Sequence, residues 1–463
     1  MSLRARVLRG GVYLILRQGL GAAISGIGMI LVARAIGPGA YGPYAAALGV
    51  YLFLLLAGQL GVNIYLIRRK EEPQPQDYNQ AFSLLLLLGL AGAGLAILAL
   101  PLFERWIQIE GFGPVAIALF ALLPIALLQL VPLARQERAL NYRKVALIEL
   151  SGEIATYLVA VPLAYQGWGA WAPVGGMWAS QLLTLVLLYQ TSDYRPRLYW
   201  ESARVRAMVG YGLGTSSSEW LWNLRLLVNP LIVGRYAGAE AVAYVSLATG
   251  IVERFSAILI LPFLRLSMPT FARIQEDRAR LVRAVSEGMS LQLIALGPLL
   301  AGFGLVAPWI VPLLFGSQWL PAVEVYPFIA VNYLSVAAVH LPSYALYVLR
   351  RTWVVTLANL VHLILLAGSA FLLVPYLDLR GYEWAQLIAL PSNFLVLVWF
   401  HLYVGRPRYS HAGIWFTAWA IPLFSWQLGV WVWIILALPL VWPATRRELL
   451  GTVAMILRKG HKY

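Results

Sequence analysis

The sequence contains no cysteine and few charged residues. Only 12% of its 463 residues are Asp, Glu, Lys or Arg, whereas about 25% is usual for a soluble domain. Without cysteine the chain can form no disulfide, no thiolate nucleophile and no cysteine-based metal site. It also lacks a phosphate-binding loop, a His-Glu-x-x-His motif and a nucleophile elbow. These absences argue against an enzyme, and we predict no cofactor and no bound metal.

Sixty per cent of the residues are hydrophobic, and they are gathered in long runs. The first two runs, within Gly11–Arg69, each exceed the roughly 20 residues that cross a bilayer core of about 30 Å. Between them, Gly37, Pro38 and Gly39 interrupt the helix within a few residues. The first run is too long for a signal-peptide core and has no cleavage site after it. We therefore expect a retained transmembrane hairpin.

The apolar runs along the chain predict about fourteen transmembrane helices, of which the last two are short. Most of the 35 Lys and Arg residues fall in the loops that share a side with the N-terminus, and the longest of these loops is expected at about 265–288. This distribution predicts that both termini are cytoplasmic. It accounts for the net charge of +15 without a nucleic-acid partner. The predicted helices are 11–33, 41–66, 81–103, 113–133, 146–165, 169–190, 208–236, 240–264, 289–315, 322–349, 352–375, 383–404, 412–428 and 430–443.

A weak internal repeat links the two halves of the chain. The segment Gly37–Tyr44 is similar to Ala237–Tyr244, and Val131-Pro132 with its following basic residues is similar to Leu341-Pro342. Because each repeat has six helices, both copies have the same orientation in the membrane. Many transporters are built in this way and have their substrate site between the repeats, near the bilayer midplane. We expect an N-terminal lobe at 1–195, a second lobe at 196–408, and a C-terminal helix pair with a cytoplasmic tail at 409–463.

The sequence around the first hairpin resembles a known family. Residues 31–38 read Leu-Val-Ala-Arg-Ala-Ile-Gly-Pro, residues 40–44 read Ala-Tyr-Gly-Pro-Tyr, and the second run closes on Gln-Leu-Gly-Val-Asn at 59–63. These motifs resemble the polysaccharide flippases, the Wzx-type O-antigen and exopolysaccharide transporters. That family shares the MOP superfamily with the MATE drug exporters and the lipid II flippase. The resemblance implies an all-α, MATE-like fold with two six-helix lobes around a central cavity.

The resemblance also implies a function. A protein of this family would move a polyprenyl-(pyro)phosphate-linked oligosaccharide from the inner to the outer leaflet of the bacterial inner membrane, by alternating access, for cell-surface polysaccharide assembly. The expected partners are this substrate, membrane lipids, a coupling proton or sodium ion, and the polysaccharide polymerase machinery. One alternative is a MATE-like exporter of small molecules, which would have an acidic cavity. Another is a membrane-embedded sugar polymerase or ligase, but the large outer loop that such enzymes use is absent from the predicted topology.

Charged residues in the seventh and eighth runs are the main candidates for the substrate site. Ionisable groups at mid-membrane depth are costly and mark functional sites by default. The seventh run carries Glu219, Asn223 and Arg225 together with three serines at 216–218, and the eighth carries Glu253 and Arg254. We expect these side chains to line a water-filled cavity. The alternative is that each glutamate pairs with an arginine only to neutralise buried charge.

Two further candidates lie in the first and fifth runs. Arg17 is near the start of the first helix, where it either extends to the inner headgroups or receives an anionic headgroup at the cytoplasmic mouth of the cavity. The resemblance favours the second role, because related flippases use arginines to meet a pyrophosphate. Glu153 is deep in the fifth helix, one turn from Glu149, and is a candidate for ion coupling. The alternative for Glu153 is an ion pair with Arg143 or Lys144.

Overall fold

The computed structural model describes residues 3–69, 71–443 and 445–446, and the side chains at 17–69, 71–213, 219–257, 259, 267–443 and 445–446. Within this part of the chain, nine helical spans are long and apolar enough to cross a membrane. The chain is therefore an all-α, multi-pass membrane protein, and the expected fourteen helices are compatible with it. The nine spans are Arg17–Arg68, Pro75–Leu98, Phe112–Arg138, Tyr142–Tyr165, Trp171–Thr191, Arg278–Phe315, Ser317–Val348, Thr352–Leu377 and Leu379–Tyr403.

Nineteen α-helices make up almost all of the described residues. Several predicted membrane helices are divided into shorter pieces at prolines or tight turns. In chain order they are α1 Leu3–Gln59, α2 Val62–Arg68, α3 Pro75–Leu98, α4 Leu100–Ile107, α5 Phe112–Phe120, α6 Leu123–Leu128, α7 Leu130–Arg138, α8 Tyr142–Tyr165, α9 Trp171–Thr191, α10 Ser202–Asn223, α11 Gly234–Ile274, α12 Arg278–Phe315, α13 Pro321–Val348, α14 Thr352–Leu377, α15 Leu379–Ala389, α16 Pro391–Tyr403, α17 Tyr409–Ala420, α18 Ser425–Leu428 and α19 Ala437–Val441.

The expected long loop at 265–288 is wrong. Helix α11 runs to Ile274 and α12 begins at Arg278, so only three residues separate them. The side chain of Asp277 accepts a hydrogen bond from the Arg280 N–H at 2.9 Å and caps α12. The polar residues at 265–288 therefore lie mostly within the two helices. Polar residues mark where an apolar run ends, but they do not by themselves end a helix.

The two segments matched by the sequence repeat contain the same backbone break. Gly37 lies within α1 with φ 71° and ψ 170°, and Gly238 lies within α11 with φ 83° and ψ −176°. Only glycine adopts this region readily. The shared break supports the internal repeat at this point. The two glycines are 201 positions apart, whereas the sequence comparison aligned residue 37 with residue 237, so the structural alignment is shifted by one residue.

A second pair of equivalent turns follows α7 and α13. The N–H of Asn141 donates to the carbonyl of Gln136 at 2.9 Å, and the N–H of Arg351 donates to Leu346 at 2.8 Å. The residue before each donor has a positive φ, 57° in the first turn and 58° in the second. Both are therefore helix ends of the same Schellman type. Such matched geometry supports the internal repeat.

The chain divides into two compact units. One contains Met1–Tyr244 with Val374–Asp378, and the other contains Val245–Leu373 with Leu379–Tyr463. In the first unit a buried apolar cluster joins α2, α3 and α7 and includes Leu66, Leu85 and Val131. In the second unit α12 and α13 pack together over the buried side chains of Tyr326 and Trp319. The lobe boundaries at 195 and 408 stay a prediction.

The seventh predicted membrane helix is irregular in its middle. After α10 ends at Asn223, the chain forms a 3₁₀ turn at Leu224–Leu227 and a π turn at Asn229–Val233 before α11 begins. Pro230 has no N–H to donate to the preceding turn, so the α-helical ladder cannot continue through it. A proline within this apolar run therefore accounts for the irregular segment.

Candidate functional site

An ion pair joins the first and fifth predicted membrane helices. The Arg17 Nε lies 3.0 Å from Oε2 of Glu149, and the two side chains are 34% and 33% exposed. Arg17 belongs to the first candidate membrane span and Glu149 to the span formed by α8. The sequence singled out both residues but did not pair them, because nothing in the linear order shows that α1 and α8 are neighbours.

Glu153 lies one helical turn further along the same face of α8. A Cβ atom built at Gly21 of α1 would collide with the Glu153 carboxylate, and one at Gly28 would collide with the ring of Tyr157. Glycines at these two positions let α8 approach α1 closely, as small residues do in membrane helix pairs. Arg17, Glu149 and Glu153 therefore lie along one α1–α8 contact in the first unit.

Arg225 follows directly on α10 in the 3₁₀ turn. Its guanidinium lies over the ring of Trp222, with Cζ 4.3 Å from the ring centroid. Asn223 Nδ2 donates to the carbonyl of Glu219 at 2.8 Å. The structure thus gathers Glu219, Trp222, Asn223 and Arg225 within two turns. The serine side chains at 216–218 lie outside the described residues.

The same turn packs against the second predicted membrane helix. A Cβ atom at Gly49 of α1 would lie 3.2 Å from the carbonyl oxygen of Leu226 and 3.2 Å from Pro230. The absence of a side chain at Gly49 therefore lets the irregular segment pack closely against α1. The position of Arg225 is set by this backbone contact as well as by its stacking on Trp222.

Glu253 and Arg254 lie in the second unit, within α11. Tyr333 of α13 donates its hydroxyl to Oε1 of Glu253 at 2.6 Å. Nη1 of Arg254 donates to the carbonyl of Gly250 at 3.3 Å, one turn back on its own helix. Sequence reasoning missed Tyr333, since a tyrosine in a predicted membrane helix has many structural roles. A cavity shared by Arg225 and Arg254 stays a prediction.

A second polar cluster, at the start of α3, was not found from the sequence. The Asp77 side chain is 1% exposed and pairs with Arg69 at 2.6 Å and with Arg204 at 2.5 Å. Its Oδ2 also accepts the Gln74 N–H at 2.8 Å. The hydrogen bond with Asp77 raises the pKa of Arg69, and the hydrogen bond from Arg204 lowers the pKa of Glu201. These residues are adjacent to predicted helix ends, where charges are common, so their pattern carried no signal.

No described group of three His, Asp or Glu side chains is placed to hold a metal ion. The described polar groups form ion pairs and hydrogen bonds. Guanidinium groups hold oxyanions through forked donors.

Residues 31–324, more than half of the chain, match the family described as polysaccharide biosynthesis protein. The chain belongs to this family. Among its relatives is the succinoglycan biosynthesis transport protein ExoT of Rhizobium meliloti, 27% identical over 65% of this chain and 61% of ExoT. Another is the lipopolysaccharide biosynthesis protein WzxC of Escherichia coli, 24% identical over 72% of this chain and 68% of WzxC. The chain thus matches somewhat less than two thirds of the length of ExoT.

Solved structures confirm the fold expected for this family member. The lipid II flippase MurJ, in an inward closed conformation, has a TM-score of 0.70 at 12% identity, over 98% of this chain and 100% of MurJ. A MATE multidrug transporter of the MOP superfamily, facing inward, has a TM-score of 0.63 at 15% identity, over 83% of this chain and 98% of the transporter. The protein therefore has a MATE-like fold.

Proposed function

We propose that this protein is a flippase for polyprenyl-(pyro)phosphate-linked oligosaccharide repeat units in cell-surface polysaccharide assembly. It acts in the bacterial inner membrane, with both termini in the cytoplasm, and carries no enzymatic activity of its own. The sugars and phosphates cross from the inner to the outer leaflet through a polar path, while the lipid tail stays in the bilayer. The transport names of relatives such as ExoT support this assignment.

The observation that carries the proposal is the Arg17–Glu149 ion pair. Both side chains remain about one third exposed although they belong to membrane-spanning helices. Ionised groups are costly against lipid, so an exposed pair at such a site is expected to face water or a polar ligand. A polar path is what a phosphorylated, hydroxyl-rich headgroup needs, because its transfer through hydrocarbon without partners is prohibitive.

Each remaining candidate residue has a role in this proposal. Arg225 and Arg254 hold the phosphate oxygens, because an arginine stays protonated when partly buried and presents forked donors. Asn223, Glu219 and Glu253 orient the sugar hydroxyls. Glu153 couples transport to a proton or sodium ion by exchanging that cation next to Gly21, and the delivered repeat unit passes to the polymerase machinery.

The test is complementation of a flippase-deficient strain by Arg225 and Arg254 variants. Charged hydrogen bonds contribute about 1.5–3 kcal/mol each, so Arg225→Ala or Arg254→Ala should lower transport at least about tenfold. Protein abundance should stay near the wild-type level, and lysine should restore transport only in part. Arg105→Ala, which removes an exposed arginine of α4, is the matched control and should transport normally.

A double variant separates substrate binding from charge neutralisation. If Arg225 serves only to balance Glu219, then Arg225→Ala lowers abundance and the added change Glu219→Gln restores both abundance and transport. That outcome would contradict the proposal for Arg225. Normal polysaccharide export combined with lost drug resistance in the Arg225→Ala strain would instead identify a small-molecule exporter.

A further inference from the structure

An open, arginine-lined pocket lies beside the start of α3 in the first unit. Its volume is about 1,100 Å³, large enough for a bulky polar ligand. The loops before α3, after α7 and after α9 meet here. We call it the arginine pocket, and its lining includes Arg135, Arg138, Arg195, Arg197, Tyr78 and Asn79.

Two of the four arginines in the arginine pocket are held by contacts within the protein, and the other two are exposed to a ligand. Arg138 donates to the carbonyls of residues 66, 67, 69 and 71, so it secures the end of α2. Arg135 lies over the ring of Tyr78 and donates to the carbonyl of residue 193 at 3.1 Å. Arg195 and Arg197 are exposed and form no ion pair within the described residues. Since the lining holds only two carboxylates, at 72 and 193, the pocket has an excess of positive charge.

The segment that carries Arg195 and Arg197 is fixed to α3 by hydrogen bonds. Asn79 Oδ1 accepts the hydroxyl of Tyr194 at 3.1 Å and the N–H of Arg197 at 3.2 Å. Further along, Ser83 Oγ accepts the N–H of Tyr199 at 2.9 Å. We call residues 194–201 the strap. Because these hydrogen bonds already hold the strap in place, little conformational entropy is lost when its arginines bind a ligand.

The strap changes from basic to apolar as it follows α3. Leu198 is 77% exposed and Trp200 is 53% exposed, and both line a groove of about 460 Å³ with Leu87 of α3. Leu87 is 52% exposed on a membrane-spanning helix, as expected for an apolar side chain that faces hydrocarbon. Arg195 and Arg197 lie level with the polar first turns of α3. The pocket is thus at headgroup depth and the groove at the depth of the first acyl carbons, where tryptophan is also enriched.

We propose that the arginine pocket and its groove bind one anionic phospholipid. The lipid phosphate contacts Arg195 and Arg197, with Arg135 beside it, and an acyl chain lies along Leu198 and Trp200 against Leu87. Basic pockets between membrane helices are known to take anionic headgroups. A zwitterionic lipid brings a cationic group into the same positive field and is disfavoured. This site does not depend on the proposed transport substrate.

The test measures lipid binding to the purified full-length protein by native mass spectrometry. The protein is titrated with dioleoyl phosphatidylglycerol, and separately with dioleoyl phosphatidylcholine. Each arginine near a membrane surface strengthens anionic lipid binding about fivefold, so the double variant Arg195→Gln/Arg197→Gln should bind phosphatidylglycerol about 25-fold more weakly. Binding of phosphatidylcholine should be weak and unchanged.

The matched control is Arg406→Gln/Arg408→Gln, which removes two exposed arginines from the turn after α16. It should leave phosphatidylglycerol binding intact, and both double variants should keep the wild-type unfolding temperature. Equal loss in the two double variants would show general surface attraction and overturn the proposal.

Inorganic pyrophosphate and a groove variant distinguish a lipid from a free anion. Leu198→Ser/Trp200→Ser should weaken phosphatidylglycerol binding severalfold, since apolar burial by the acyl chain is lost. If this variant binds normally and pyrophosphate displaces the lipid at equal concentration, the pocket is a site for soluble phosphate, and the lipid assignment is wrong.

Discussion

The turn after the sixth predicted membrane helix and the turn after the twelfth are attached to equivalent helices by the same kind of hydrogen bond, but their surroundings differ. The strap lies on α3, where Tyr199 N–H donates to Ser83 Oγ at 2.9 Å. In the second half, Arg408 N–H donates to Ser286 Oγ of α12 at 3.1 Å. Ser83 and Ser286 are each the ninth residue of their helix. The two copies therefore share one anchor.

What surrounds the shared anchor differs between the copies. The first copy opens into the arginine pocket of about 1,100 Å³, whereas the cavity beside Ser286 holds only about 20 Å³. The third residue of α3 is the buried Asp77, and the third residue of α12 is the exposed Arg280. The repeat thus conserves the path of the backbone, and the side chains decide whether a turn becomes a binding surface.

The largest expected difference between the copies is at this third helix position. Asp77→Ala removes the common partner of two partly exposed arginines, and each charged hydrogen bond contributes about 1.5–3 kcal/mol. We expect a large fall in unfolding temperature and abundance. Arg280→Ala changes an exposed side chain and should alter stability by less than about 0.5 kcal/mol. Thermal unfolding of the two purified variants measures the contrast, and a stable Asp77→Ala protein would show that the Asp77 pairs contribute little.

The backbone breaks should respond equally in the two halves. Gly37→Ala and Gly238→Ala each force a side chain into a region that only glycine occupies easily, at a cost of about 1–3 kcal/mol. At Gly238 a Cβ atom would meet no other atom within 4 Å, so backbone strain alone is tested there. Chemical unfolding of the two variants should show similar losses in the free energy of unfolding. If only one variant is destabilised, the two turns are not equivalent.

The smallest effect is expected at the shared serine anchor. Ser83→Ala and Ser286→Ala each remove an acceptor for a backbone N–H and should cost about 1 kcal/mol. The same unfolding experiment applies to both. Since the strap carries the arginine pocket, only Ser83→Ala should also weaken phosphatidylglycerol binding. An equal effect of Ser286→Ala on the lipid would remove the distinction between the copies.

Features that depend on local sequence were predictable. Long apolar runs gave the all-α membrane class and most helix positions, and Gly37 marked the first break because no other residue suits that backbone. The irregular segment around Pro230 has a local cause as well, since the missing N–H of Pro230 acts wherever the helix lies. The family resemblance at residues 31–63 then supplied the MATE-like fold.

Pairings between distant elements were not predictable. Arg17 and Glu149 meet because α1 and α8 pack through Gly21 and Gly28, and a single sequence does not reveal which glycine-rich face meets which helix. The Asp77 cluster is another case, since Arg204 is 127 positions away. The predicted loop at 265–288 was wrong for a different reason. Hydropathy marks the edge of the membrane and says little about where a helix ends.

The irregular segment between α10 and α11 has a mechanical consequence. A 3₁₀ turn rises about 2.0 Å per residue and an α-helix about 1.5 Å. If the four residues of Leu224–Leu227 rewound into α-helix, the helix would shorten by about 2 Å and rotate the side chains on it. Arg225 is one of those four residues. The seventh predicted membrane helix would then change its length at this segment, and Arg225 would move with each such change.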